Sequence, residues 1–180
     1  MIVLDPTQAA DTESETGLPL AARLDTLDGK TIGLWCNQKL NAARLLGFIC
    51  EELAQDYTFS IVHGTYDPGR LMEAHEWGEV DRCDAVILAN GDCGACSTSG
   101  ITNAIELEKR GIPAVLVSTP PFIDAVTTTT RMSNMPAIEW AIVDHPIGSL
   151  DEGEVRERAI AAAKQIPGLM IATASKRQAA

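Results

Sequence analysis

The chain has 180 residues, with 14 Lys and Arg against 25 Asp and Glu, for a formal net charge of −11 at pH 7. That balance excludes the basic stripe with which a nucleic-acid binder displaces counterions, and it is repelled by an anionic membrane surface. Hydrophobic residues make up 46% and aromatic residues 4%, so a single domain of ordinary size with an aliphatic core of Val, Ile, Leu and Ala is expected.

No apolar run reaches the roughly 18 residues needed to span a bilayer. Met1 to Gly17 lacks the basic start, apolar stretch and small-residue cleavage site of a signal peptide. A cytoplasmic, reducing location is therefore expected, in which the five cysteines Cys36, Cys50, Cys83, Cys93 and Cys96 do not form a disulfide framework.

The first 29 residues read as an irregular N-terminal arm, residues 30–168 as an α/β catalytic domain, and residues 169–180 as a C-terminal tail. Lys30 to Cys36 reads as a buried strand, and Asn41 to Gln55 as a helix with Leu45, Leu46, Ile49 and Leu53 at helical spacing. Tyr57 to His63 is a second strand. Asp67 and Pro68 open a short helix expected to reach Trp77. The continuous apolar run Asp84 to Ala89 suits a strand buried on both faces. Ser97 to Arg110 is a helix closed by Gly111. Pro113 to Ser118 is a fourth strand, Phe122 to Met132 a helix, and Ala137 to Val143 a fifth strand. Ser149 or Asp151 caps a last helix that Pro167-Gly168 is expected to stop near Gln165.

Strands alternating with helices give parallel βαβ units with right-handed crossovers. The expectation is a three-layer, doubly wound, five-stranded parallel sheet of flavodoxin-like order 2-1-3-4-5. Ligands of such sheets bind beyond the carboxyl ends of the strands, near the switch in strand order, which selects the loops 36–41, 90–100, 118–124 and 144–149.

Within the second of these loops, Asn90-Gly91-Asp92-Cys93-Gly94-Ala95-Cys96-Ser97 follows a buried strand and opens a helix. A helix N-terminus carries partial positive charge and unpaired N–H groups, which favour a thiolate. Gly91, Gly94 and Ala95 let backbone approach a ligand closely. Two cysteines at this spacing can close a disulfide, so a redox cycle is accessible. Cys93, at the loop tip, is the candidate nucleophile and Cys96 the candidate resolving thiol, with Asp92 a tuning group or base. The competing readings are a packed cysteine, half of a zinc site, and a turn or cap role for Asp92.

At this turn the chain resembles the UGSC-type (seleno)proteins, whose name comes from selenocysteine-Gly-Ser-Cys; Cys93 stands at the selenocysteine position and Ala95 replaces the Ser. The likeness extends over Leu4 to Thr7, Leu24 to Leu34, Asn37 to Ala42, Glu106 to Pro113 and His145 to Gly148, and so over nearly the whole chain. The stretch from Asp84 to Val117 is also similar to the selenocysteine region of glycine reductase component B. These resemblances imply nucleophilic or redox sulfur chemistry at Cys93, because a position that accepts sulfur or selenium is one where that atom reacts. The second implies reductive cleavage of a carbon–heteroatom bond, and an enzyme that works with further subunits.

The remaining loops supply candidate ligand contacts. Asn37, Lys39 and Asn41 follow the first strand; Lys39 suits a substrate carboxylate, and Asn41 is expected to cap the next helix. Asn90 precedes the cysteine turn, and Ser118 and Thr119 follow the fourth strand. His145 follows the fifth strand and is a candidate general acid or base, or a partner that depresses the thiolate pKa. His63 ranks below it. His75 reads as an exposed helix residue, and Cys50 and Cys83 as core packing.

Four functions compete on this evidence. The first is a thiol-dependent enzyme acting on a small, carboxylate-bearing molecule and recharged by a thioredoxin-like or small-thiol reductant. The second is a non-redox cysteine hydrolase or lyase using Cys93 and His145. The third is a metal-dependent enzyme using Cys93, Cys96 and His145. The fourth is a non-catalytic redox or ligand-binding subunit. No G-x-G-x-x-G or Walker loop is suitably placed, so no nucleotide cofactor is expected. The acidic surface and the arm are compatible with a homo-oligomer.

Overall fold

The computed structural model describes residues 17–172; the motif at Leu4 to Thr7 and the chain beyond 172 lie outside the described residues. Five parallel strands, β1 (Thr31–Cys36), β2 (Ser60–Thr65), β3 (Ala85–Ala89), β4 (Ala114–Ser118) and β5 (Ala141–Ile142), form one sheet in the order β2-β1-β3-β4-β5. Four helices cover it: α1 (Ala42–Leu53), α2 (Gly94–Lys109), α3 (Ile123–Met132) and α4 (Glu152–Met170). Helices α1 and α4 pack together on one face, and α2 and α3 on the other. This is the three-layer, doubly wound, flavodoxin-like architecture expected from the alternation of apolar runs. The strand order switches between β1 and β3, whose following loops leave toward opposite faces.

Alternation along the central strands divides the core. Leu34, Cys36, Ile87, Ala89, Val115 and Val117 face α1 and α4, whereas Trp35, Val86, Leu88, Ala114 and Leu116 face α2 and α3. The second face accommodates the Trp35 indole only because β2 carries glycine beside it. A Cβ on Gly64 would lie 2.0 Å from Trp35 Cε2.

Several expected boundaries are corrected. Strand β2 begins at Ser60 rather than Tyr57 because the Tyr57 and Phe59 side chains turn into the α1–α4 core. The helix expected from Pro68 does not form. Gly69 takes φ 87°, the Asp67 carboxylate is held by Arg70, and a 3-10 turn at Ala74–Trp77 follows, boxed by Glu73 and Glu76. Helix α2 starts at Gly94, three residues before Ser97, which makes Cys93 its N-cap. Pro167 lies inside α4, which continues to Met170 because Ile166 and Met170 are buried against the core and Leu24 bridges Ile171. Strand β5 is two residues long rather than seven. The Gln165 carboxamide covers its outer edge, accepting from Ile142 N at 3.0 Å and donating to Ile142 O at 2.8 Å.

Residues 17–29 pack against the domain. Glu108, fully buried in α2, accepts from Ala21 N at 2.8 Å, Ala114 N at 2.8 Å and Arg23 Nη1 at 2.7 Å. Each of its partners is a donor, so the buried carboxylate is compensated.

Candidate functional site

The carboxyl ends of β1 and β3 carry the two loops that meet at the switch in strand order. Cys93 is extended, at φ −151° and ψ 153°, and its Sγ accepts a hydrogen bond from Cys96 N at 3.1 Å, the place a serine or aspartate oxygen takes in an ordinary N-cap. The Cys93 and Cys96 sulfurs are joined, 2.31 Å apart, with Cα atoms 5.2 Å apart. Cys96 is 2% exposed, whereas Cys93 is half-buried. Cys93 is thus the more exposed of the two cysteines. Gly94 N and Ala95 N, in the first turn of a 16-residue helix, have no intrahelical acceptor.

Beside the turn lies an open cavity of about 390 Å³ lined by Lys39, Leu40, Gly91, Asp92, Cys93, Cys96, Gly148 and Ser149. Three loops far apart in sequence build it. Gly91 lets the first approach the second, since a Cβ there would lie 2.6 Å from Lys39 Cβ. The loop carrying Lys39 and Leu40 is flanked by two non-glycine residues in the left-handed region, Gln38 at φ 61° and Asn41 at φ 64°. Such conformations persist where surrounding contacts impose them. Here those contacts are hydrogen bonds from Asn41 Nδ2 to Ile147 O at 2.9 Å, Gly148 O at 3.3 Å and Leu150 O at 2.9 Å. Asn41 thus precedes α1 without capping it by its side chain, contrary to expectation, and spans to the third loop instead.

Asp92 holds that third loop from the other side. Both its oxygens accept from Ile147 N at 2.9 Å, and Oδ2 also accepts from Gly148 N. His145 Nδ1 lies 3.5 Å from Asp92 Oδ1 and 3.2 Å from Thr119 Oγ1, with its ring edge-on to Phe122 and its peptide bond to Pro146 cis. Asp92 is therefore committed to backbone donors, and His145 faces Thr119 and Asp92 outside the lining of the cysteine cavity. Among the described residues no group of three or more His, Cys, Asp or Glu is arranged to hold a metal ion.

Asn37, Asn90, Ser118 and Thr119 are all buried behind these loops. Asn37 Oδ1 accepts from Lys39 N at 3.3 Å; Asn90 Nδ2 donates to Gly91 O at 3.0 Å and Ser97 Oγ at 3.1 Å. Lys39 itself is exposed, and among the described residues no carboxylate is paired with it. His63 lies in a separate groove with Cys36 and Thr65 between α1 and β2, and His75 is exposed beside Glu73. Cys83 is buried and Cys50 half-buried. Sequence reasoning did not single out Leu40, Gly148 or Ser149 as lining residues, although all three fall in loops that the strand-end rule selects.

The family model for UGSC matches residues 2–172. The chain belongs to the UGSC family. A UGSC chain with Cys93 and Cys96 at disulfide distance is compatible with redox thiol function. No curated protein matches the sequence. A solved flavodoxin-like domain from Synechococcus sp is 14% identical, with a TM-score of 0.37, over 77% of this UGSC chain and 99% of that one. Among the described residues no helix is long and apolar enough to cross a membrane.

Proposed function

We propose that the protein is a thiol-dependent reductase of a small carboxylate-bearing molecule, with Cys93 as nucleophile and Cys96 as resolving thiol. The observation that carries this reading is the joined Cys93–Cys96 pair at the N-terminus of α2, in the wall of a cavity whose rim holds the unpaired Lys39. Lys39 on the cavity rim and the partial positive charge at the N-terminus of α2 supply positive potential for a substrate carboxylate near the reacting sulfur.

The sharpest version of the chemistry follows from the glycine reductase resemblance. The Cys93 thiolate displaces the heteroatom group X from carbon, forming a carbon–sulfur bond. The Cys96 thiolate then attacks the Cys93 sulfur; the sulfur–sulfur bond forms and the carbon departs with its electron pair and takes a proton. R–X and two thiols thus become R–H, HX and a disulfide. An external dithiol, thioredoxin-like or small, reduces that disulfide and is itself oxidised. A carboxylate beside the departing carbon spreads its charge, which Lys39 on the cavity rim would offset.

The test is ultraviolet titration of the reduced thiols in the wild type, Cys93→Ser and Cys96→Ser, with metal content measured on the same samples. Cys93 is expected to ionise below the ~8.5 of a free thiol, with a reversible Cys93–Cys96 disulfide in metal-free protein. Ordinary titration with no disulfide refutes the reading, and stoichiometric metal replaces it with the metal-dependent one. A hydrolase using Cys93 and His145 would keep its activity in Cys96→Ser. A non-catalytic subunit would show the disulfide but consume nothing.

A further inference from the structure

Three polar side-chain atoms at the carboxyl edge of the sheet have no hydrogen-bond partner among the described residues: Asn37 Nδ2, Asn90 Oδ1 and Ser118 Oγ. Their residues are 1%, 2% and 1% exposed. Buried polar groups are nearly always paired, because leaving one unpaired costs its full desolvation. Three together call for a shared explanation.

The three residues form one row. Cys36 pairs with Ala89, and Ala89 with Val117, so the next rung sets Asn37, Asn90 and Ser118 side by side at the ends of β1, β3 and β4. Alternation turns all three toward the α2 face. Trp35, Leu88 and Leu116, two residues earlier on each strand, belong to that side of the core, and Asn90 Nδ2 reaches Ser97 of α2.

Backbone partners fix which atom of each amide is left over. Asn37 Oδ1 faces the Lys39 N–H, which can only donate, so the unmatched atom is the Asn37 NH2 donor. Asn90 Nδ2 faces the Gly91 carbonyl, which can only accept, so the unmatched atom is the Asn90 oxygen. The Ser118 hydroxyl serves either way. Each asparagine thus holds a residue of the cysteine cavity with one amide atom and offers the other unpaired. The row contains no ionisable carboxylate, amine or imidazole, so a charged group placed on it would be buried uncompensated. The complement is an uncharged group that presents a carbonyl acceptor and an N–H or O–H donor side by side.

We propose that the Asn37–Asn90–Ser118 row is a recognition subsite for a carboxamide-type group, behind the Lys39–Gly91 wall of the cysteine cavity. The proposal rests on the reading above for its role, since it names what the substrate carries besides its anionic end. It stands on its own as a binding site.

The probe is acetamide, with acetate and methyl acetate as comparisons, titrated into the reduced full chain while the side-chain amide resonances of Asn37 and Asn90 are followed by NMR. Acetamide is expected to shift both resonances saturably, with an affinity at least tenfold above that of acetate, which is charged, and of methyl acetate, which has no donor. Ser118→Ala and the isosteric Asn37→Asp are each expected to weaken it about tenfold with the dispersion of the spectrum retained. Unmoved resonances, or equal response to acetate, overturn the subsite. The same titration on Cys93→Ser/Cys96→Ser separates the two readings. If the wild type fails the thiol titration but this variant still takes acetamide, the sulfur chemistry falls and the subsite remains. If the wild type passes and its row ignores acetamide, the subsite alone falls.

Discussion

At the scale of single residues, the site depends on side chains that bind backbone rather than ligand. Asn41 is the clearest case, because its left-handed φ of 64° and its three carbonyl partners are separable by substitution. Asn41→Gly keeps the conformation without steric cost and loses the hydrogen bonds, whereas Asn41→Ala loses both. Denaturant unfolding should place Asn41→Gly about 1–2 kcal/mol below the wild type and Asn41→Ala a further ~1 kcal/mol below that. Equal values for the two variants would mean that the conformation is not imposed by the bonds. Asp92 belongs to the same class. The sequence reading left it between base and turn residue, and its two oxygens are occupied by Ile147 N and Gly148 N. A carboxylate beside a cysteine is visible in a sequence, but its engagement with a loop 55 positions away is not.

At the scale of elements, the strands and helices that bury their apolar face were legible because periodicity alone specifies them. Strands β1, β3 and β4 and helices α1 and α2 fall within a few residues of expectation. Two of the misplacements share one cause, tertiary contacts overriding local preference. Tyr57 and Phe59 are attractive strand residues that the α1–α4 core takes instead, and Pro167 is a helix breaker held within α4 by the packing of Ile166 and Met170. Strand β5 lost most of its expected length because only Ala141 and Ile142 pair with β4, and a turn in which Ile138 N donates to Met135 O takes up residues before them. The contact between β1 and β2 offers a sharp test of packing. Gly64→Ala would drive a methyl into the Trp35 indole, and is expected to cost about 3 kcal/mol, read as a fall in the denaturation midpoint at unchanged slope. A cost under ~0.5 kcal/mol would mean that the indole has another place to go.

At the scale of the whole molecule, pH stability is bounded by groups away from the cysteine cavity. The Arg70 guanidinium and the Glu73 backbone N–H hold the Glu76 carboxyl well below its usual 4.5, at about 2. Its contribution is therefore complete above pH 4.5 and is lost as pH falls toward 2. Burial pushes the Cys83 thiol from 9.0 up to about 11, so the folded state holds that proton more tightly than the unfolded chain does. Stability should accordingly fall as pH rises from 9 to 11, and Cys83→Ala should flatten that limb in a denaturation series; an unchanged limb would assign it elsewhere. The clamp formed by Asn41 and Asp92 has a kinetic consequence. It ties chain segments separated by as many as 109 residues, behind a final strand only two residues long, so these contacts can form only after most of the chain has been placed. The cavity should then be the last part of the molecule to assemble and among the first to open. Amide exchange at Ile147 and Gly148 should be faster than in β3, and Asp92→Asn should quicken it further while leaving β3 protected.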